Sequence, residues 1–235
     1  MNKIKYLNDL KDLLIENGEK EKDIQAAIKY AENLINLNLP VIFDKYHFAA
    51  LVGMENVELA NIMVHLEEKY YRKAEIEKKN GGMREILIPA MKLRIVQRWI
   101  LKNILYNIRV SDYAMGFRKK YSIATNAKIH TGKKCVVNMD LKDFFPSITQ
   151  KQVFQIFYYY GYTIDVSYLL SRLCTHEGRV PQGAPTSPYL SNIICLKLDK
   201  RLSKLAEKYE ADYTRYADDI TFSGGAGLKS IILRV

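Results

Sequence analysis

Apolar side chains recur three or four positions apart through the first part of the chain, which is the spacing of amphipathic helices. This spacing predicts helices over 4–15 and 23–37 and a further pair over 46–52 and 57–66. The same part of the chain carries 7 basic and 12 acidic side chains and no catalytic motif. We therefore expect residues 1–68 to form a helical N-terminal extension with a packing or partner-binding role.

The pattern changes to alternation of apolar and polar residues at Lys69. Residues 70–77 and 84–88 alternate as strands do, and Asn80-Gly81-Gly82 between them favours a hairpin because Asn and Gly accept positive φ. Pro89 then opens a predicted helix that ends near Asn107. A basic β-hairpin followed by a helix is expected here.

The second half of the chain predicts one strand, several helices and a final hairpin. In order, these are a buried-strand pattern at 135–140, helices at 151–160 and 166–176, an irregular loop at 180–188, a long amphipathic helix at 189–209, and strands at 213–217 and 220–222. Strands and helices in this order predict a sheet backed by helices, which is an α+β fold.

Composition narrows the class of protein. Of the 235 residues 48% are hydrophobic, which is enough for a core, and no apolar run is long enough to cross a membrane. The N-terminus carries no apolar signal sequence, so a cytoplasmic location is the default expectation. Cys135, Cys174 and Cys195 are scattered without paired spacing, which is typical of buried thiols in a reducing compartment.

The net charge of +10 is concentrated in one segment of the chain. Residues 69–134 carry 17 basic and 4 acidic side chains, a net charge of +13, whereas residues 135–235 carry 12 and 10. An excess of this size favours a polyanion as partner over a merely solvated basic face. Within the segment, Gly116–Ser122 is a basic loop with aromatic residues, and the sequence leaves open whether it holds phosphates or is solvated.

Three carboxylates fall at the ends of predicted strands. Asp140 ends one strand, and Asp218 and Asp219 occupy the turn of the final hairpin. Carboxylates brought together in this way repel one another, so a divalent cation among them is expected. Two Mg²⁺ ions about 3.5–4 Å apart catalyse phosphoryl transfer in such sites. We expect Asp140 and Asp218 to bridge both ions, with Asp219 as third ligand or charge support.

The alternative is that Asp140 caps a helix and that Asp218 and Asp219 lie on an ordinary solvated turn. Asp is common in turns, so the pair alone would not distinguish the two interpretations. The chain has no GxxxxGK[ST], HExxH or GxSxG motif, so other classes of enzyme lack support.

The motifs around these carboxylates resemble those of reverse transcriptases. Tyr216-Ala-Asp-Asp219 resembles their YxDD box, Asp140-Leu-Lys-Asp-Phe-Phe145 their first aspartate motif, and Pro181-Gln-Gly183 the loop beside the incoming nucleotide. Asn126-Ala-Lys-Ile-His130 resembles the NAxxH element of bacterial retron reverse transcriptases. From spacing alone, a pair such as Asn126 and His130 is more often structural than catalytic.

The resemblance implies an RNA-directed DNA polymerase built as a right hand, with residues 69–134 as fingers and 135–235 as an incomplete palm. Asp140, Asp218 and Asp219 would hold two Mg²⁺ ions. Phe145 would exclude a 2′-hydroxyl, Gln182 and Gly183 would border the nucleotide, and Arg84 would face the triphosphate. Implied partners are an RNA template and primer, the RNA–DNA hybrid and deoxynucleoside triphosphates, with an effector protein or a completing chain in addition.

Membership of this group also implies copying of a noncoding RNA into single-stranded DNA and a role in antiphage defence. Chains of the family continue beyond the YxDD hairpin into a helical thumb, whereas twelve residues follow Ser223 here. The thumb is therefore expected to be missing, through truncation, a frameshift or a split gene. Two other functions stay open: a catalytically incompetent nucleic-acid-binding fragment, and a related defence polymerase that adds nucleotides without a template.

Overall fold

The computed structural model describes residues 3–77, 81–225 and 228. Its helices are α1 (Lys3–Glu16), α2 (Glu21–Asn36), α3 (Lys45–Val52), α4 (Asn56–Val64), α5 (Leu66–Lys69), α6 (Met91–Asn103), α7 (Ile123–Ile129), α8 (Phe144–Ser147), α9 (Gln150–Tyr159), α10 (Ile164–Leu173), α11 (Ser187–Ile194) and α12 (Leu196–Lys208). Its strands are β1 (Tyr71–Glu77), β2 (Met83–Pro89), β3 (Cys135–Asp140), β4 (Asp212–Tyr216) and β5 (Asp219–Gly224), and a 3₁₀ turn covers Leu105–Asn107. The fold is α+β, as the sequence predicts.

The main hydrophobic core joins the N-terminal helices to the middle of the chain. Leu34 and Phe48, from α2 and α3, belong to the same buried cluster as Ile100 of α6, Phe157 of α9 and Leu170 of α10. Each of these side chains is fully buried. In contrast, α1 buries no residue completely.

The basic hairpin is formed by β1 and β2, which pair antiparallel from Tyr71 opposite Pro89 to Glu77 opposite Met83. Gly81 and Gly82 have φ values of 76° and 89°, which is the conformation that favours glycine in such a turn. Asn80 lies outside the described residues. The pairing continues one residue beyond the strands, where the Ala90 amide donates to the Tyr70 carbonyl oxygen over 2.8 Å, and Tyr70 and Tyr71 pack against the main core at this end of the hairpin.

The second sheet has three antiparallel strands in the order β3-β5-β4. One face packs on α12, where Leu202 and Ala206 join Tyr213, Ile220 and Phe222 in a second buried cluster. Residues 113–115 extend the free edge of β4. There the Arg215 amide donates to the Tyr113 carbonyl oxygen and the Met115 amide donates to that of Arg215.

Several element boundaries differ from the sequence predictions. The helix predicted over 189–209 is in fact two helices, α11 and α12, which meet at Cys195. The two pack in different clusters, Ile193 in the main core and Leu202 against the three-stranded sheet, and hydrophobic periodicity alone does not reveal such a change of partner. Pro188 lies in the first turn of α11, where proline is accepted because that amide needs no helical partner.

The buried-strand prediction for β3 was wrong. This strand lies at an edge of its sheet and alternates between half-buried and exposed residues, with Val136 47% exposed. Pro89 closes β2, so α6 begins two residues later, at Met91. The final turn lies one residue earlier than expected, since β4 ends at Tyr216 and Asp219 is already the first residue of β5.

Two of the three cysteines are buried, as expected. Cys174 and Cys195 are buried and Cys135 is half-buried, and all three are free thiols. Burial raises the pKa of the Cys174 thiol to about 12, so this side chain stays protonated at neutral pH. Among the described residues, no helix is both long and apolar enough to span a bilayer.

Candidate active site

The fold brings the three predicted carboxylates to one end of the three-stranded sheet. Asp140, the last residue of β3, lies directly opposite Asp219, the first residue of β5. Paired residues on adjacent strands project to the same face, so these two side chains are neighbours. Asp218 lies in the turn immediately before Asp219, and its carbonyl oxygen accepts a hydrogen bond from the Leu141 amide over 3.1 Å.

The charges of these side chains affect one another. Partial burial, followed by the negative charges of Asp218 and Asp140, raises the pKa of the Asp219 carboxyl above its ordinary value. Such a shift means that a positive charge at this place would be favourable. Within the described parts of the chain, no three His, Cys, Asp or Glu side chains already form a closed metal-binding group. Carboxylate oxygens are nevertheless the ligands that Mg²⁺ uses, together with water and substrate phosphates.

The turn that carries Asp218 has an unusual backbone. Ala217 has a φ of 59°, in the left-handed region that costs a non-glycine residue about 1 kcal/mol or more. Its carbonyl oxygen accepts a 2.9 Å hydrogen bond from Nη1 of Arg215. The conformation is therefore held by a side chain from the adjacent strand.

Arg215 is itself fixed by a buried acid. Its Nε donates to Oδ1 of Asp199 over 2.8 Å and its Nη2 to Oδ2 over 2.9 Å, and both side chains are 0% exposed. The Tyr213 hydroxyl donates to the same Oδ1 over 2.7 Å. Asp199 lies on α12, so this helix positions the turn through two successive polar contacts.

Sequence reasoning missed Asp199, although a signal was available. Cys195, Asp199, Leu202 and Ala206 are spaced four, three and four residues apart, so the acid falls on the apolar face of the predicted helix. A charged residue at such a position is almost never fully buried unless it is paired. The spacing alone could have indicated a buried ion pair, though not its partner.

Gly116 supports the same turn from the opposite side. A Cβ at this position would lie 2.7 Å from the Ala217 nitrogen, closer than any real side chain approaches backbone. Nδ2 of Asn192 donates to the Gly116 carbonyl oxygen over 3.0 Å and fixes the glycine in place. Gly116 is buried against the turn between β4 and β5, so its own backbone is not placed to bind a phosphate, which was one of the two interpretations left open for the loop 116–122.

The carboxylates open onto a cavity of about 780 Å³. The predicted nucleotide contacts Arg84, Phe145, Gln182 and Gly183 all line this cavity with Asp140, Asp218 and Asp219. The structure thus brings together every candidate site residue of the sequence analysis, from strands and loops up to 135 positions apart in the chain.

The Gln182 loop is docked on the basic hairpin. The Leu87 amide of β2 donates to the Gln182 carbonyl oxygen over 2.8 Å. Gly183 has a φ of 119°, and a Cβ there would lie 2.7 Å from the Leu87 carbonyl oxygen, so only glycine fits. The hairpin and the loop form one wall of the cavity, and Arg84 on β2 makes no ion pair with any described residue.

Phe145 is half-buried on the floor of the cavity, in the short helix α8. Its ring centroid lies 5.3 Å from that of Phe144 and 6.2 Å from that of Phe117. Contact with aromatic rings on two sides restricts its rotamers, which suits a side chain that limits the space beside a bound sugar.

Asn126 and His130 do not line this cavity. Nδ1 of His130 is 2.6 Å from the Ser223 hydroxyl and Nε2 is 2.7 Å from the Thr214 hydroxyl, behind the hairpin strands. Burial lowers the pKa of the His130 imidazole, opposed by the nearby charge of Asp212. A neutral ring that joins β4 to β5 is structural, in agreement with the interpretation from spacing.

The family of the chain follows from sequence comparison. A profile of the family "Reverse transcriptase (RNA-dependent DNA polymerase)" matches residues 76–227, which include strand β2 of the basic hairpin, the Gln182 loop and the carboxylate-bearing strands. The chain belongs to this family. Divalent metal dependence is general in the family, and the three carboxylates that meet at this cavity are of the type that binds such ions.

Several curated relatives that the chain resembles are retron reverse transcriptases. The Retron Ec86 reverse transcriptase of Escherichia coli is 39% identical over 203 residues, covering 86% of this chain and 63% of the relative. The Retron Mx162 reverse transcriptase of Myxococcus xanthus is 43% identical over 172 residues, 66% of this chain and 36% of the relative. The Retron Mx65 reverse transcriptase of the same organism is 34% identical over 226 residues, covering 87% of this chain and 53% of the relative. The chain thus spans about one third to two thirds of their length.

Proposed function

We propose that this chain carries the nucleotidyl-transfer site of a retron-type RNA-directed DNA polymerase. The observation that carries the proposal is the meeting of Asp140, Asp218 and Asp219 at one edge of a cavity whose other walls hold Arg84 and Gln182. In this proposal residues 69–134 serve as fingers and residues 135–225 as the part of the palm that holds the carboxylates.

The carboxylates would hold two Mg²⁺ ions, with Asp140 and Asp218 shared between both and Asp219 as third ligand or charge support. When bound, the ions supply activation of the attacking hydroxyl and stabilisation of the leaving oxygen. The turn held by Arg215 keeps the Asp218 carboxylate in position, so little reorganisation is needed for binding.

The remaining cavity residues bind and select the nucleotide. Arg84, exposed on β2 and free of a described partner, would bind the triphosphate. Gln182 and Gly183 border the base and sugar, where the absence of a Cβ at position 183 lets the chain approach closely. Phe145 excludes a 2′-hydroxyl, which selects deoxynucleotides.

The natural substrates follow from the type of enzyme. We propose that the template is a noncoding RNA copied into single-stranded DNA, and that the product takes part in antiphage defence with an effector protein. The concentration of positive charge at 69–134 supports the binding of a long polyanion, since each phosphate contact adds a salt-dependent contribution.

Primer extension on an RNA template with Mg²⁺ tests the proposal. Wild-type protein should incorporate deoxynucleotides in the order the template dictates, and Asp218→Asn should abolish incorporation. Equal incorporation by both proteins contradicts the metal assignment, and products whose sequence ignores the template indicate a template-independent polymerase.

A second candidate function, nucleic-acid binding without catalysis, is favoured by the net charge of +13 over 66 residues. It predicts salt-dependent RNA binding that Asp218→Asn leaves unchanged, together with no extension by either protein. Binding and extension measured on the same preparations distinguish the two.

A further inference from the structure

A second pocket lies beside the catalytic cavity. Tyr106, Phe117, Arg118, Lys119 and Tyr189 enclose about 220 Å³, a volume suited to one nucleobase with part of its sugar. Phe117 lines both spaces. The two spaces are therefore adjacent, with Phe117 bordering both.

Three of the five lining residues are aromatic. Tyr106 and Phe117 are 44% and 41% exposed, which is a large fraction for such side chains. Tyr189 is fixed by the hydrogen bond that its hydroxyl donates to the Ile108 carbonyl oxygen over 3.0 Å, and its ring meets Tyr106 edge-on at 5.1 Å. Accessible aromatic rings supported by a fixed one provide a stacking surface for a base.

The two cations of the pocket have different roles. Arg118 is 17% exposed, donates to the carbonyl oxygens of Ser111 and Ala114 over 2.9 and 3.2 Å, and covers the ring of Tyr121 at 4.2 Å. It is therefore occupied in holding the loop. Lys119 is exposed, lies 5.1 Å from the centre of the Tyr106 ring and makes no ion pair with a described residue, so its ammonium group is available to a ligand.

The loop that carries these residues is strained. Phe117 and Lys120 have φ values of 62° and 71°, in the left-handed region that bulky residues avoid. Conformations of this kind persist when surrounding contacts impose them, and they are concentrated at ligand-binding sites. Phe117, at one of these two positions, is partly exposed and lines both pockets.

We propose that this pocket binds one unpaired nucleotide of the RNA template, with its base against Tyr106 and Phe117 and its phosphate on Lys119. The proposal rests on the polymerase function proposed above. The single available cation matches the one charge of a phosphodiester and not the several charges of a free triphosphate. A strand that is unpaired next to the site of synthesis is the template still to be copied, because the product pairs as it forms.

Crosslinking provides the direct test. An RNA–DNA hybrid with a recessed DNA 3′ end carries 4-thiouridine at the first unpaired template position, and the crosslinked peptides are mapped by mass spectrometry after irradiation. Crosslinks should fall on Tyr106, on 117–119 or on Tyr189, and should be lost when the label is moved into the duplex. Crosslinks that map only to other parts of the chain overturn the proposal.

Affinity measurements on the same hybrid give a second readout. Tyr106→Leu removes a stacking ring and should weaken binding about tenfold or more, because one stacked base contributes on that scale. Lys119→Gln should lower the slope of log K against log salt by about 0.7, the value for one phosphate of a single strand. Lys120→Gln, one residue further along the same loop and outside the pocket, is the matched control.

The outcomes separate this proposal from the polymerase function. If wild-type protein binds and extends the hybrid normally, and Tyr106→Leu and Lys119→Gln behave like the control Lys120→Gln, the pocket assignment alone is overturned. Failure of wild-type protein to bind the hybrid overturns both. Displacement of the crosslink by a free deoxynucleoside triphosphate at its binding concentration would assign the pocket to the nucleotide and overturn the template assignment.

Discussion

The substitution Asp199→Asn tests how the carboxylate-bearing turn is held. The side chain keeps its shape, but Oδ2 becomes an amide group that faces Nη2 of Arg215, a second donor, at the present distance of 2.9 Å. The positive charge of Arg215, which is fully buried, loses its counter-ion at the same time. Breaking one partner of a buried ion pair costs about 3–5 kcal/mol.

A loss of this size is readily measured. For a chain of this length, 1 kcal/mol shifts the melting temperature by about 2–4 °C, so Asp199→Asn should melt about 6–20 °C below wild type. Glu85→Gln makes the same chemical change in an exposed pair, where Lys73 Nζ is 3.3 Å from Oε2 and the two side chains are 67% and 52% exposed. This control should lose no more than about 1 kcal/mol. Equal melting temperatures for Asp199→Asn and Glu85→Gln would refute the reasoning.

A double variant separates stability from positioning. Replacing a buried pair by apolar residues of similar volume is often neutral for stability, so Asp199→Leu with Arg215→Met should recover much of the loss. The Ala217 carbonyl oxygen would still lack the donor that Arg215 provides. The double variant should therefore fold well and bind Mn²⁺, measured by electron paramagnetic resonance, more weakly than wild type. Unchanged Mn²⁺ affinity would show that the turn needs no such anchor.

Four further predictions follow from the geometry of the site and its support. Gly116→Ala places a Cβ 2.7 Å from the Ala217 nitrogen, so it should cost about 1–3 kcal/mol in urea unfolding and weaken Mn²⁺ binding, whereas an unaltered protein would contradict the close approach. Phe145→Ala should reduce the preference for deoxynucleotides over ribonucleotides in primer extension by about 10- to 200-fold, and unchanged selectivity would remove Phe145 from this role. Burial lowers the pKa of His130 in the folded state, so the unfolded chain binds more protons below pH about 6.5. Wild type should therefore lose stability as the pH falls from 7 to 5, and His130→Gln should lose less. Identical pH profiles for the two proteins would contradict this role of His130. Asp218→Asn removes one of the three negative charges that would attract the cation, so the stabilisation by Mg²⁺, measured as the melting shift over EDTA, should be smaller than in wild type, and an equal shift would contradict the assignment.

The sequence predicted the elements that depend on local pattern. The strand at Cys135–Asp140 and the hairpin ending at Pro89 appear within a residue or so of the predicted bounds, since alternation and turn residues are local signals. A serine before a helix is a local signal of the same kind, and Ser122 caps α7 with its side chain accepting from the Thr125 amide. The carboxylates were predictable because Asp140 ends a strand, Asp219 begins one, and Asp218 lies in the turn between two strands.

What the sequence did not predict depends on contacts between distant segments. The break at Cys195 arises because α11 and α12 pack in different clusters, and the exposure of β3 follows from its place at the edge of the sheet. The ion pair of Asp199 with Arg215 joins residues sixteen positions apart on different elements. Local periodicity carries no information about which elements become neighbours.

Aspartate side chains have two different roles in and behind this site. Whether the side chain is buried and paired decides whether it supports the backbone or faces the cavity. Asp199 accepts three hydrogen bonds from Arg215 and Tyr213, and because it is fully buried it is not accessible to a ligand. Asp218 and Asp219 lie about twenty residues further along the chain and open onto the cavity, where the negative charges of Asp218 and Asp140 act on Asp219. Arg215 connects the two environments, because one guanidinium nitrogen holds the Ala217 carbonyl oxygen while the others hold Asp199. A satisfied carboxylate thus fixes the backbone on which the unsatisfied ones are presented, and this division suits a site that must bind a cation without rearranging.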